Sequence, residues 1–180
     1  MDLARLMAAA PRTLRHSSER AGECYTLADD VVAAHHPSGE DSGSLTHEGG
    51  SISIEPIGGR APEPGGATGG HVQSGSSRDT IGPVYRSARD DAIAVPTGRA
   101  LVRFAEDDRA ERHRNAIAAA GFELEQVLAY APQAAWARAA SGRITDTLNC
   151  LSALEQLPGV EHVEPQLITE AARRDNPGDA

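Results

Sequence analysis

Apolar and polar residues alternate with a period of two between Ala100 and Ala105, where Ala100, Val102 and Phe104 are interleaved with Leu101 and Arg103. This pattern predicts a half-buried strand. Asp108 followed three residues later by Glu111 matches a capping box, Ala110, His113, Ile117 and Ala120 fall on one helical stripe, and Gly121 supplies a stop. From Phe122 to Tyr130 the apolar Phe122 and Leu124 alternate with Glu123 and Glu125, after which Val127 and Leu128 break the phase as a bulge would. A Pro-containing turn at Ala131–Ala134 leads into Ala135, Ala137 and Ala139 set against Trp136 and Arg138, a third strand forming a hairpin with the second. Ile144, Leu148, Leu151, Leu154 and Leu157 recur at spacings of four and three, a second amphipathic helix halted by Pro158 and Gly159. Val160–Glu164 then reads as a brief edge strand, because Pro165 has no backbone donor.

The order strand, helix, strand, strand, helix, strand predicts an α+β, ferredoxin-like βαββαβ antiparallel sheet with both helices on one face, spanning residues 82–170. The other face is expected to be uncovered. Strand parity puts Leu101, Arg103, Glu123, Glu125, Trp136 and Arg138 on it, a mixed surface with the chain's only tryptophan. Exposed aromatic and Arg side chains together suggest a protein-docking surface.

The first eighty-one residues carry weaker patterns. Leu3–Leu14 has slight helical potential interrupted at Pro11, and Cys24–Ala34 is a short apolar run that suits a strand or one helical turn. Between Pro37 and Thr80 the chain is dominated by Gly, Ser, Pro and isolated charges, with alternation only at Ser51–Ile57. Residues 1–81 are therefore expected to be a largely disordered N-terminal region with a linker, and residues 171–180 a polar tail.

The net charge is -9, and it divides evenly: 8 Arg against 13 acids before Ile93, 9 Arg against 13 acids from there on. Neither half suits nucleic acid or an anionic membrane. Every basic residue is Arg, which alongside so much Ala, Gly and Pro reads as compositional bias rather than as seventeen selected sites. Cys24 and Cys150 lie in segments of different character without a second thiol at ligand spacing, so free thiols and a reducing compartment are expected. The apolar run near Met1–Arg15 is too short for a signal peptide or a bilayer span, which makes the cytoplasm the default location.

No constellation carries catalytic chemistry. His35, His36, Cys24, His47 and His71 match no zinc spacing, so no metal and no cofactor are expected. His113, on the inner helix stripe, and His162, in the last strand, read as hydrogen-bonded structural residues. Gly65–Gly70 has no following Lys-Ser or Lys-Thr and no flanking helix to make a phosphate cradle. Asp79-Thr80-Ile81-Gly82 has no partner blocks that would supply a base and a nucleophile, and Glu123 with Glu125 reads as a solvated strand face rather than a carboxylate dyad. An enzyme is not expected.

Four segments carry a family likeness: Val95-Pro-Thr-Gly-Arg-Ala-Leu-Val-Arg-Phe104, Ala118-Ala-Ala-Gly-Phe-Glu-Leu124, Ala134-Ala-Trp-Ala-Arg138 and Leu157-Pro-Gly-Val-Glu-His-Val-Glu-Pro-Gln166. Together they resemble the N-terminal propeptide of subtilisin-like serine proteases, especially fervidolysin-like prodomains, over Pro83–Glu170. The resemblance implies an inhibitor and folding chaperone with a subtilisin-like protease as its partner. It further implies that Leu101, Arg103, Glu123, Trp136 and Arg138 dock on the protease, and that Gln166, Leu167, Ile168, Thr169 and Glu170 form a tail entering the substrate cleft. The chain carries no protease catalytic domain, so a fragment of a protease precursor is one alternative. Another is a small-molecule-binding regulatory domain of the same ferredoxin-like topology. An RNA-binding reading lacks paired aromatics and basic flanks.

Overall fold

A computed structural model describes residues 3–16, 23–37, 45–47, 50–57 and 81–169. The elements run α1 (Leu3–Ala9), β1 (Thr13–Arg15), β2 (Cys24–Pro37), β3 (Leu45–His47), β4 (Gly50–Pro56), β5 (Ile81–Ser87) and β6 (Ile93–Phe104). A 3-10 turn at Ala110–His113 leads into α2 (Arg114–Ala119), followed by β7 (Phe122–Leu128), β8 (Ala131–Ala139), α3 (Ile144–Asn149), α4 (Leu151–Glu155) and β9 (Val160–Thr169).

The nine described strands form one antiparallel sheet in the order β3-β4-β2-β5-β6-β8-β7, with β1 added to β2 and β9 to β6. The expected ferredoxin-like βαββαβ domain behind a largely disordered N-terminal region is therefore wrong, because five strands before Ile93 belong to the same sheet. The physical reason is burial on both faces. β5 is buried at five of its seven positions, and neighbours Val84 and Tyr85, which point to opposite faces, are both fully inaccessible. Such a strand shows no alternation to read.

β6 is the hinge of the architecture. Its first residues pair with β5 at Arg86↔Ile93 and Tyr85↔Ala94, its last with β8 at Ala100↔Ala137 through Arg103↔Ala134, and its other edge runs along β9. The ladder shifts register between Pro96 and Ala100, so Thr97, Gly98 and Arg99 bulge opposite the single residue Gln166. Gly98 turns this bulge at φ +80, a left-handed conformation that glycine adopts without a Cβ penalty. Thr147 of α3, fully buried, pins it: the Thr147 hydroxyl donates to the Gly98 carbonyl at 3.0 Å and accepts the Ala139 N–H at 3.0 Å.

The bulge also explains why β9 outlasts its expected end. Pro165 lies opposite Ala100 beside the interruption, and β9 continues to Thr169. The two expected helices are shorter than their stripes. The first begins as a 3-10 turn, and Asp108 makes no capping box: it accepts the Arg109 N–H and binds the His113 ring while Glu111 pairs with Arg114. The second divides at Cys150 into α3 and α4.

Three clusters hold the sheet. Under α2 and α4 lie Val102, Phe104, Ile117, Phe122, Ala137 and Leu154. Around Tyr85 gather Leu14 of β1, Tyr25 and Leu27 of β2, Ala94 of β6, Leu167 of β9 and Ile144 with Leu148 of α3. Tyr85 donates its hydroxyl to the Pro11 carbonyl at 2.9 Å, and burial pushes its pKa upward. On the reverse face Ala33, Ile52, Val84 and Val95 pack together with Ile168, with no helix side chain among them.

Candidate protein-docking face

Ala100, Val102 and Phe104 of β6, Ala135, Ala137 and Ala139 of β8, and Phe122 with Leu124 of β7 point into the helix-covered core. Their alternates point to the opposite face. Leu101 stands between Trp136 and Glu164 across the two ladders, Glu123 opposes Arg138, and Arg103 opposes His162. The structure thus gathers Leu101, Arg103, Glu123, Trp136 and Arg138 on one face, with Leu101 and Trp136 half-buried at its centre.

Beside them Glu125 is held between two guanidinium groups. Its Oε1 accepts from Arg138 Nε at 2.8 Å and its Oε2 from Arg99 Nε at 2.7 Å. Desolvation works to raise the Glu125 pKa, but Arg138 and then Arg99 more than offset it and hold the carboxyl below its usual range. With only 19% of its side chain exposed, Glu125 is a fixed strut rather than the solvated strand residue expected. Glu125 is the extra residue where the ladder shifts register between Leu124, opposite Ala137, and Gln126, opposite Trp136. His162 and Glu164 add a second pair at 2.9 Å, and Arg103 with Glu161 a loose, exposed one at 3.7 Å.

Arg99 went unseen because the Thr97–Arg99 bulge resets the strand phase; Gly98 was the signal that could have located it. The expected tail is corrected more sharply. Leu167 pairs with Pro96, Ile168 with Val95 and Thr169 with Ala94, while the Gln166 Oε1 accepts the Thr97 hydroxyl at 2.7 Å. Leu167 and Ile168 pack against two different clusters. These four residues belong to the body of the sheet, and Glu170 lies outside the described residues.

The remaining candidates do not converge. His113 stacks on Phe104 at a centroid distance of 4.0 Å and contacts the Asp108 carboxylate at 2.6 Å, which with the Arg109 N–H draws the Asp108 pKa down. His36 bonds the Ser53 hydroxyl across β2 and β4 at 2.9 Å. Cys24 and Cys150 are exposed free thiols. His71, Gly65–Gly70 and Asp79 lie outside the described residues. Among the described residues no three His, Cys, Asp or Glu side chains group as a metal site, and no helix is long and apolar enough to cross a membrane.

No protein-family model matches the chain, and neither the curated proteins nor the solved structures yield a match.

Proposed function

We propose that this protein is a docking module that binds a folded partner through the helix-free face of β6, β7, β8 and β9, and that the partner is a subtilisin-like serine protease whose activity it restrains. The observation that carries the docking reading is the grouping of Trp136 and Leu101 beside the Arg99–Glu125–Arg138 ion triad. Apolar anchors ringed by fixed charges are the composition of interface centres, where Trp and Arg dominate the binding energy. The choice of protease rests on the sequence likeness alone, of which Leu157–Gln166 is the most specific part.

Because Gln166–Thr169 are committed to the sheet, restraint acts through the face and not through a cleft-filling segment made of these residues. The purified chain is expected to inhibit at least one member of a panel of subtilisin-like proteases. Trp136→Ala is expected to weaken binding by about 30-fold or more, the size of a 2 kcal/mol hot spot. Removal of residues 170–180 should leave affinity within about threefold, a change under 1 kcal/mol. Inhibition that survives Trp136→Ala and disappears with residues 170–180 would return the action to a tail and refute the face.

A further inference from the structure

Two margins of the sheet meet across one groove on the other side of β9. Through the pairings β1–β2, β2–β5, β5–β6 and β6–β9, β1 and β9 lie at opposite ends of a five-strand ribbon. Both nevertheless line the same cavity of about 500 Å³, together with α3 and α4. The ribbon therefore coils around the Tyr85 cluster and stops one gap short of closure. Among the described residues β1 pairs only with β2 and β9 only with β6.

The backbone groups facing this gap follow from the ladder. Alternate residues of an antiparallel strand direct N–H and C=O to the same neighbour. The Ala105 N–H bonds the Gly159 carbonyl at 3.1 Å, so the odd-numbered residues Leu101, Arg103 and Ala105 face β9. Their partners Glu164 and His162 face β6 in return. Val163 and Pro165 then direct their backbone groups outward, and a proline suits such an outward position because it has no N–H to lose from the ladder.

The geometry points to this groove as a second binding site, taking an extended peptide segment of a partner protein that adds a strand beside residues 161–165 of β9, since the Val160 N–H is already bonded to the Leu157 carbonyl. Unpaired strand groups call for a backbone whose own donors are free, which an extended segment has and a helix does not. Leu14, Leu148 and Leu151 line the groove and accept apolar side chains from alternate positions. Glu155 of α4 favours a basic residue in the peptide, with Arg15 of β1 also lining the groove. Five residues at about 3.3 Å each make the paired stretch about 17 Å long.

A fluorescein-labelled peptide alternating valine with threonine and lysine tests this on the full chain. Anisotropy is expected to show saturable binding, weakened at least tenfold when alternate peptide nitrogens are methylated. Ser152→Arg, on the exposed rim, should weaken it at least tenfold without shifting thermal unfolding, and Trp136→Ala on the opposite face should leave it unchanged. Amide exchange gives the direct readout. The Val163 amide should exchange fast in the free protein and at least tenfold more slowly with saturating peptide, while His162 and Glu164 are slow in both states. No binding up to about 1 mM, a Val163 amide already slow in the free protein, or one that saturating peptide does not protect, overturns the site.

Discussion

The two halves of the sheet solve the same burial problem differently, and β6 contains both solutions. Its N-terminal residues Ala94, Val95 and Pro96 are buried in succession, facing the Tyr85 cluster on one side and the Val84–Val95 cluster on the other. After the Thr97–Arg99 bulge, Ala100, Val102 and Phe104 are buried while Leu101 and Arg103 are not. Strands flanked on both faces spend their side chains on cohesion. Strands flanked on one face keep the other for a fixed charge pattern and an aromatic anchor, so the capacity for docking is concentrated where the alternation is clean.

The contrast is broken most severely at Tyr85. Tyr85→Ala removes a fully buried ring and the donor to the Pro11 carbonyl, and a loss of about 3–5 kcal/mol is expected, in the range for large aromatic truncations. Denaturant unfolding followed by Trp136 fluorescence decides whether the halves are coupled. A lower midpoint at Trp136 means that the twice-buried strands support the docking half, as the continuous β6 ladder requires. An unchanged midpoint would mean that the halves unfold independently.

This asymmetry governs how much could be read from the chain. Around β6, β7 and β8 the alternation of Ala100 to Phe104 and of Ala135 to Ala139 identified strands and assigned their faces, which is why Leu101, Arg103, Glu123, Trp136 and Arg138 were found together. Val84 and Tyr85 sit side by side in a strand buried on both faces, so no period of two marks them. Tertiary contact also overruled local cues. Pro165 reads as a strand stop, yet it lies opposite Ala100 beside the bulge that Gly98 permits, and β9 continues past it. The fate of Leu167 and Ile168 depended on pairing with Pro96 and Val95, some seventy residues earlier, which local spacing does not encode.

The junction between the halves can be loosened without touching either core. Thr147→Val keeps the shape but leaves the Gly98 carbonyl without its donor and the Ala139 N–H without its acceptor, an expected loss of about 2–3 kcal/mol. Amide exchange at Ala139 should accelerate before exchange at Tyr85 does. Equal acceleration at both would mean that the hydroxyl stabilises the whole sheet rather than the place where β6 changes partners.

On the docking face the expected effects are smaller and depend on pH. Glu125→Gln leaves Arg99 and Arg138 without a countercharge, and a loss of about 1–2 kcal/mol is expected at neutral pH, discounted for partial exposure. The Glu125 pKa is lowered in the fold, so the unfolded chain binds the proton more readily, and the stabilisation is present above the usual carboxylate range. It is lost as pH falls through the depressed folded value. The gap between the native protein and Glu125→Gln should therefore narrow on acidification, and a gap that stays constant would mean that the triad contributes by packing alone.

Arg103→Ala is the smallest perturbation and separates stability from binding. Its side chain is 53% exposed and its contact with Glu161, itself 51% exposed, spans 3.7 Å, so the pair is expected to contribute less than about 0.5 kcal/mol. Thermal unfolding should be unchanged within error. If the helix-free face is a docking surface, the same substitution lowers the association rate with a protease partner, with the deficit shrinking as salt screens the field. If Arg103→Ala changes neither unfolding nor association, the working surface contracts to Trp136, Leu101 and the Glu125 triad, and the rim of the face is solvated polar surface. A fall in stability of more than about 1 kcal/mol would instead mean that Arg103 belongs to the cohesive side of the comparison, with its methylene stem packed on the sheet.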